Sequence, residues 1–193
     1  AVIVASAIGG SSNCTTHLSA IAKHMGIKFD LSNWQKLGHE IPLLVNCQPA
    51  GEYLMESFYR AGGVPAVMQE LIKHKKIHTN IMTVSGKTVG SNLKRKIETD
   101  KKVIKTFKDC LTEKAGFLVM KSNFFDSAIM KTSVISKDFR KRYLSNPKHL
   151  NVFLGKAVVF EGPEDYHKRI DSKKLNIDEN SILIIRGLSL IHI

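Results

Sequence analysis

The sequence predicts an α/β protein in which helices first alternate with short apolar strands and a strand-rich region follows. Three observations carry this prediction. Amphipathic helical spacing with clear stop signals recurs through the first hundred residues. Short apolar runs of strand length lie between those helices. After about Lys102, runs rich in β-branched and aromatic residues become frequent.

Asn13 reads as the N-cap of a helix over residues 14–25, with Leu18, Ile21, Ala22 and Met25 on one face and Gly26 as its stop. Ser32 reads as the cap of a short helix over residues 33–38. Residues 42–45 form a buried-strand candidate. A helix is expected over residues 52–61, ended by Gly62-Gly63, and another over 65–75 with Pro65 in its first turn. Beyond these, residues 116–120, 128–130, 157–160 and 182–185 read as strands, and 138–144 and 163–170 as short helices. The expected organisation is two domains, residues 1–102 and 103–187, joined within residues 94–105. There is no internal repeat. The terminal Leu188-Ser189-Leu190-Ile191-His192-Ile193 matches the translation of a transposon-end adapter used in DNA sequencing libraries. The native sequence is therefore expected to stop at Gly187.

The chain has 193 residues, 43 % apolar and 24 % charged, enough for a sizeable core and unlike a disordered chain. Its apolar runs fall far short of the roughly 20 residues of a membrane helix, and Ala1-Val2-Ile3-Val4 carries no basic region or cleavage signal. Three widely spaced cysteines without a CxxC pair indicate neither a zinc knuckle nor a disulfide framework. A reduced, cytoplasmic protein without membrane partners is expected. The formal net charge is +12, with 11 basic and 7 acidic residues in 1–100 and 18 and 10 in the remainder. That spread argues for a solvated lysine-rich surface and against a nucleic-acid partner, which more often meets a focused basic stripe. The competing class, a basic nucleic-acid-binding module, predicts affinity falling steeply with salt.

Gly9-Gly10-Ser11-Ser12-Asn13 before a helix offers backbone N–H groups and hydroxyls suited to a carboxylate or phosphate, although a plain tight turn uses the same residues. Ser85-Gly86-Lys87-Thr88 imitates the end of a P-loop, but Ile81 stands where that motif needs glycine, so a helix start at Lys87-Thr88 is expected instead. His74 and His78 have i, i+4 spacing, yet the lysines around them oppose a cation. Asp165-Tyr166-His167 with Asp171 reads equally as an acid–base cluster or as a capped surface helix.

Several segments together resemble the dihydroxy-acid/6-phosphogluconate dehydratase family. Gly9-Gly10-Ser11-Ser12-Asn13 followed by His17-Leu18 is similar to the family's GGSTN…HL segment. Pro49-Ala50-Gly51-Glu52-Tyr53-Leu54-Met55-Glu56, Arg60-Ala61-Gly62-Gly63-Val64-Pro65-Ala66-Val67 and Thr83-Val84-Ser85-Gly86-Lys87-Thr88 match further segments in order and spacing. The run from Phe125 to Ser136, with Arg142-Tyr143-Leu144-Ser145-Asn146-Pro147 and the run from Val159 to His167, resembles the branch acting on sugar acids such as arabinonate or xylonate. Ser122, before Asn123, departs from the family's usual glycine, and Cys14 from a small apolar residue.

The resemblance implies the end of a parallel-sheet α/β N-terminal domain followed by the start of a β-barrel-like C-terminal domain. It implies a hydro-lyase that converts a 2,3-dihydroxy (sugar) acid to a 2-keto-3-deoxy acid, with branched-chain dihydroxy-acid dehydratase as the alternative. It further implies an iron–sulfur cluster, [2Fe–2S] or [4Fe–4S], a Mg²⁺ ion and a homo-oligomer in the intact enzyme. Cys14, Cys47 and Cys110 match none of the family's ligand motifs, so this chain is expected to supply no metal ligand and no catalytic residue, and to be inactive alone. Ser11, Ser12, Asn13 and His17 are the expected neighbours of the sugar-acid substrate.

Overall fold

The computed structural model describes residues 1–123, 126–148 and 152–188. Phe125 and the adapter-like residues 189–193 lie outside the described residues. Helices and strands mix as expected, and the chain divides into two compact units, residues 1–135 and 136 onward.

In the first unit, α1 (Val2–Ala7) buries Val2, Ala5, Ser6 and Ala7. The sequence gives no sign of this helix, because Val2-Ile3-Val4 is a poor helix run and packing sustains it. In α2 (Asn13–His24) the N-cap is Ser12, not Asn13. Asn13 is already helical, its N–H donating to Ser11 Oγ at 3.2 Å, while the Cys14 and Thr15 N–H groups donate to the carbonyls of Ser11 and Ser12. The expected stop is present: Gly26 has φ +68°, and the N–H groups of Gly26 and Ile27 return to Lys23 and Ala22 in a Schellman arrangement. The apolar face of α2 opens onto an apolar cleft of about 540 Å³, leaving Ile21 and Met25 56 % and 71 % exposed.

Ser32 is likewise the first residue of α3 (Ser32–Gly38), and the Asp30 carboxylate accepts its N–H at 2.8 Å. Trp34 is fully buried, meeting Phe117 edge-on at 5.1 Å and Phe29 at 6.2 Å. Residues 42–45 are buried and extended as expected, but they pair through single bridges, Leu43 with Thr112 and Val45 with Ile104, rather than in a ladder. Tyr53 bridges to Cys47, which keeps the chain extended through Leu54 and delays α4 to Met55–Arg60. Gly62, at φ +105°, turns the chain into α5 (Gly63–Lys73), which carries Pro65 in its first turn. Thr88 caps the single turn α6 (Val89–Asn92) by accepting the Ser91 N–H. Finally β1 (Phe117–Met120) pairs antiparallel with β2 (Ala128–Lys131), Phe117 opposite Lys131.

Two apolar clusters stabilise this unit. One joins Leu44, Val45, Phe58, Val67, Leu71, Val103 and Ile104; the other joins Val2, Ala5, Trp34 and Phe117. At the edge of the first, the nearly buried Glu70 carboxylate receives Lys73 Nζ at 2.9 Å and the Phe107 N–H at 3.2 Å, with His74 Nε2 at 3.5 Å. Burial opposes its ionisation, but hydrogen bonds from Lys73 and Phe107 and the charges of Lys73 and His74 outweigh that and hold the carboxyl below its ordinary 4.5. A lowered folded-state pKa means stability that is present above 4.5 and lost as pH falls through the lowered value. Glu70→Gln is therefore expected to cost about 1–2 kcal/mol near neutrality. In urea melts at stepped pH, the gap between variant and wild type should close on acidification; a constant gap would contradict the assignment.

In the second unit, α7 (Lys137–Tyr143) is capped by Ser136 Oγ, which accepts the Phe139 N–H. Then β3 (Lys156–Phe160), α8 (Pro163–Arg169) and β4 (Ser181–Ile185) form a strand–helix–strand unit, β3 parallel to β4 with Lys156 opposite Ser181. Phe160 is fully buried against Tyr166, with the Arg169 guanidinium over its ring.

Candidate functional site

The short turn between α1 and α2 is held by backbone: the N–H groups of Gly9 and Gly10 donate to Ser6 and Ala5 carbonyls at 3.1 and 2.8 Å. Gly9 takes φ +65°, and a Cβ there would stand 2.8 Å from Leu43 Cδ1. The two glycines thus let the chain double back on the end of α1 and present Ser11 and Ser12 on the wall of a cleft of about 660 Å³. Cys14, Cys47, Gln48 and Lys131 also line it, with Met55, Phe58 and Val134 as an apolar wall. A volume of this size suits a small molecule.

Of the residues expected from the sequence, Ser11 and Ser12 line the cleft. Asn13 is half-buried one position further on, and His17 is exposed one helical turn along; neither lines the cleft. Sequence reasoning missed Lys131 as part of the site. Its place follows from β2 being fixed at its end: the Thr132 hydroxyl donates to the Gly116 carbonyl at 2.6 Å and the Thr132 N–H to the same oxygen at 3.3 Å. Burial lowers the pKa of the Lys131 ammonium, and the nearby Cys14 acts in the opposite direction. Behind Gly9 lies Ser133, whose buried hydroxyl has no partner among the described residues.

The other sequence motifs are accounted for by local structure. Ser85, Gly86 and Lys87 form a turn, with Gly86 at φ +71° and the Thr83 N–H donating to the Lys87 carbonyl. The Asn92 side chain bridges Thr83 and Ser85 across it. His74 ends α5 and stacks on Phe107 at 4.1 Å, so His74 and His78 do not share a helical face. Asp165 accepts the Glu161 N–H and the Arg169 guanidinium, which ties down the start of α8. Residues 94–96 and 101–102 are exposed. All three cysteines are free, and burial raises the thiol pKa of Cys47 and Cys110. Among the described residues no group of three or more His, Cys, Asp or Glu is placed to hold a metal, so the donors here do not fit an iron–sulfur cluster or Mg²⁺. Among the described residues, too, no helix is long and apolar enough to cross a membrane.

Comparison with known proteins bears on the cleft's owner. Residues 1–92 match the profile of the dihydroxy-acid/6-phosphogluconate dehydratase N-terminal domain, and residues 102–189 that of the C-terminal domain of the same family. The chain is 50 % identical over 187 residues to a D-xylonate dehydratase of Caulobacter vibrioides, covering 97 % of this chain and 31 % of the relative. It is 38 % identical over 182 residues to an L-arabinonate dehydratase of Rhizobium leguminosarum, covering 94 % and 30 %. A dihydroxy-acid dehydratase of Caldicellulosiruptor bescii is 36 % identical over 187 residues, covering 96 % and 32 %. The chain thus spans about a third of the length of these relatives.

Proposed function

The chain belongs to the dihydroxy-acid/6-phosphogluconate dehydratase family, and we propose that the protein carrying it removes water from a sugar acid to give a 2-keto-3-deoxy acid. The observation that supports this reading is the 50 % identity to a D-xylonate dehydratase, against 36 % for a dihydroxy-acid dehydratase. The reaction moves the C2 proton to a base and expels the C3 hydroxyl as water, and the resulting enol relaxes to the ketone. In the intact enzyme an iron–sulfur cluster and Mg²⁺ would supply the Lewis acidity for the hydroxide and hold the acid. Among the described residues no donor group forms those sites, and the part proposed for this chain is binding and orientation of the substrate. Ser11 and Ser12 are the polar contacts offered to it, with Asn13 and His17 in a second row.

The proposal includes residues 1–102 as the end of the α/β N-terminal domain and 103–187 as the start of a β-barrel-like C-terminal domain, supported by the two profile matches meeting between residues 92 and 102. A cytoplasmic homo-oligomer without nucleic-acid or membrane partners completes it. The test is 2-keto acid release by the full-length enzyme carrying this segment, loaded with cluster and Mg²⁺. D-Xylonate, L-arabinonate, D-gluconate and 2,3-dihydroxyisovalerate are compared as substrates. A site built for several hydroxyls leaves polar groups unpaired around an alkyl substrate, each costing about 1–3 kcal/mol. An aldonate is expected to have the highest kcat/KM, by at least about a hundredfold over dihydroxyisovalerate. Dihydroxyisovalerate leading by that margin would overturn the substrate assignment and leave the family intact.

A further inference from the structure

We propose that the segment joining the family's two domains, residues 93–101, is a locked strap and not a hinge, and that Gln69 is its lock. The profile of the N-terminal domain ends at residue 92, and that of the C-terminal domain begins at residue 102. An exposed, lysine-rich junction of this kind ordinarily reads as a flexible linker. Yet one compact unit, residues 1–135, runs straight across it. Backbone pairing does not explain this, because among the described residues no backbone–backbone hydrogen bond involves residues 94–99. The hold comes from side chains.

Gln69 lies half-buried in α5, one residue before Glu70. Its amide nitrogen donates to the Leu93 carbonyl at 2.8 Å and to the Arg95 carbonyl at 2.6 Å. Its amide oxygen accepts the Ile97 N–H at 3.3 Å. A carboxamide carries two donors and an acceptor, so one side chain meets backbone groups at 93, 95 and 97, every second residue, as a neighbouring strand would. Glutamate would have no donor for the two carbonyls, and methionine, of similar length, would serve none of the three. Ile97 also packs on the first apolar cluster and against Gly62, where an added Cβ would stand 2.6 Å from Ile97 Cγ2. Beyond the junction, the Asn46 side chain donates to the Lys102 carbonyl at 3.3 Å and the Asn46 N–H to the Val103 carbonyl at 2.8 Å. Glu70 then accepts the Phe107 N–H at 3.2 Å. Adjacent residues of α5 thus grip the junction and the first residues after it, which fixes the start of the second domain on the first. The side chains of Lys94, Arg95 and Lys96 stay exposed while the backbone that carries them is held.

These exposed basic residues make the lock measurable, because trypsin cuts after Lys and Arg in a locally opened chain. When opening and closing are fast, the cutting rate follows the open population. Wild type, Gln69→Met and Gln69→Glu are digested with dilute trypsin under native conditions, and cuts after Lys94, Arg95 and Lys96 are identified by mass spectrometry. Amide hydrogen exchange at Ile97 is read in parallel. The buried Leu44 amide, bonded to the Ala7 carbonyl at 2.8 Å, serves as the reference for general unfolding. Wild type is expected to be cut at these bonds at least about tenfold more slowly than a synthetic peptide of residues 90–101, with the Ile97 amide protected. Both variants are expected to be cut about tenfold faster than wild type, with Leu44 protection unchanged within about twofold. Wild-type cutting as fast as the peptide, or an unprotected Ile97 amide, would mean a hinge and overturn the proposal. That comparison needs no variant, so it decides even if a substitution unfolds the chain. Unchanged cutting in folded variants, or a loss of Leu44 protection by the same factor, would remove Gln69 as the local lock.

Discussion

Trp34→Ala is expected to remove about 3–5 kcal/mol from the stability of residues 1–135. Trp34 is fully buried, and its ring meets Phe117 and Phe29 edge-on, tying α3 to β1 and to the loop before α3. Truncation to alanine removes the largest of the fully buried side chains and leaves a void between elements about eighty residues apart in sequence. Set against a total stability of about 5–15 kcal/mol for a domain, this loss threatens the unit as a whole. Urea unfolding followed by far-UV circular dichroism measures it, since Trp34 is the only tryptophan and the variant has no indole to report by fluorescence. Trp34→Phe is the control. The buried indole N–H has no hydrogen-bond partner among the described residues, so phenylalanine gives up area but also removes an unsatisfied donor. Its cost should stay below about 2 kcal/mol. A loss under about 1 kcal/mol for Trp34→Ala would mean that this contact does not anchor the unit.

The Trp34–Phe117 contact marks where sequence reading reaches its limit. The strands at Phe117–Met120, Ala128–Lys131, Lys156–Phe160 and Ser181–Ile185 fall within a residue or two of their expected places, because each is a short apolar run bounded by polar or turn residues. The helix α8 is equally legible, from a proline at the first helical position, whereas α7, expected from residue 138, begins at Lys137 because Ser136 caps it. Partners are another matter. Nothing local in Leu43–Val45 tells that its bridges come from Thr112 and Ile104, and these partners are what turn an apolar run into isolated bridges rather than a strand. Nor does local sequence reveal that Tyr53 pairs with Cys47 and so shortens α4. Asn13 and Ser32, expected as caps, are instead the first helical residues, their N–H groups taken by Ser11 Oγ and by the Asp30 carboxylate.

The site shows the same division. Ser11 and Ser12 could be read from a glycine pair ahead of a helix, since that chemistry is local. Lys131 could not. It enters the cleft from a strand more than a hundred residues away, and in the sequence it is one of 29 basic residues with nothing to set it apart. Its distinguishing property, an ammonium in a partly buried place, exists only once β2 is docked beside the Gly9 turn. The expected apolar face of α2 gives a complementary case: Leu18, Ile21, Ala22 and Met25 do line up, but on an open apolar cleft.

Gly116→Ala is expected to destabilise the same unit by about 3 kcal/mol or more, without adding charge or removing any apolar contact. A Cβ at this position would lie 2.0 Å from the Gly38 carbonyl oxygen, 2.4 Å from its carbon and 2.9 Å from the His39 nitrogen. These are backbone atoms at the end of α3, which cannot rotate away as a side-chain tip can. The surrounding bonds hold them in place: the Ala115 N–H donates to the Ile41 carbonyl at 2.9 Å, and the Gly116 carbonyl accepts both the N–H and the hydroxyl of Thr132. Relief of the clash therefore requires α3 and the β1–β2 pair to move apart, which opens the Trp34–Phe117 contact and displaces Lys131, the partner of Phe117 in the ladder. Gly26→Ala separates this from the ordinary cost of replacing glycine. Gly26 has φ +68° with nothing within 4 Å of an added Cβ, so only left-handed strain opposes the change, about 1–2 kcal/mol. Urea midpoints at unchanged m-value compare the two. If Gly116→Ala loses no more than Gly26→Ala, the close approach of β1 to the end of α3 is not what fixes the register that carries Lys131 into the cleft.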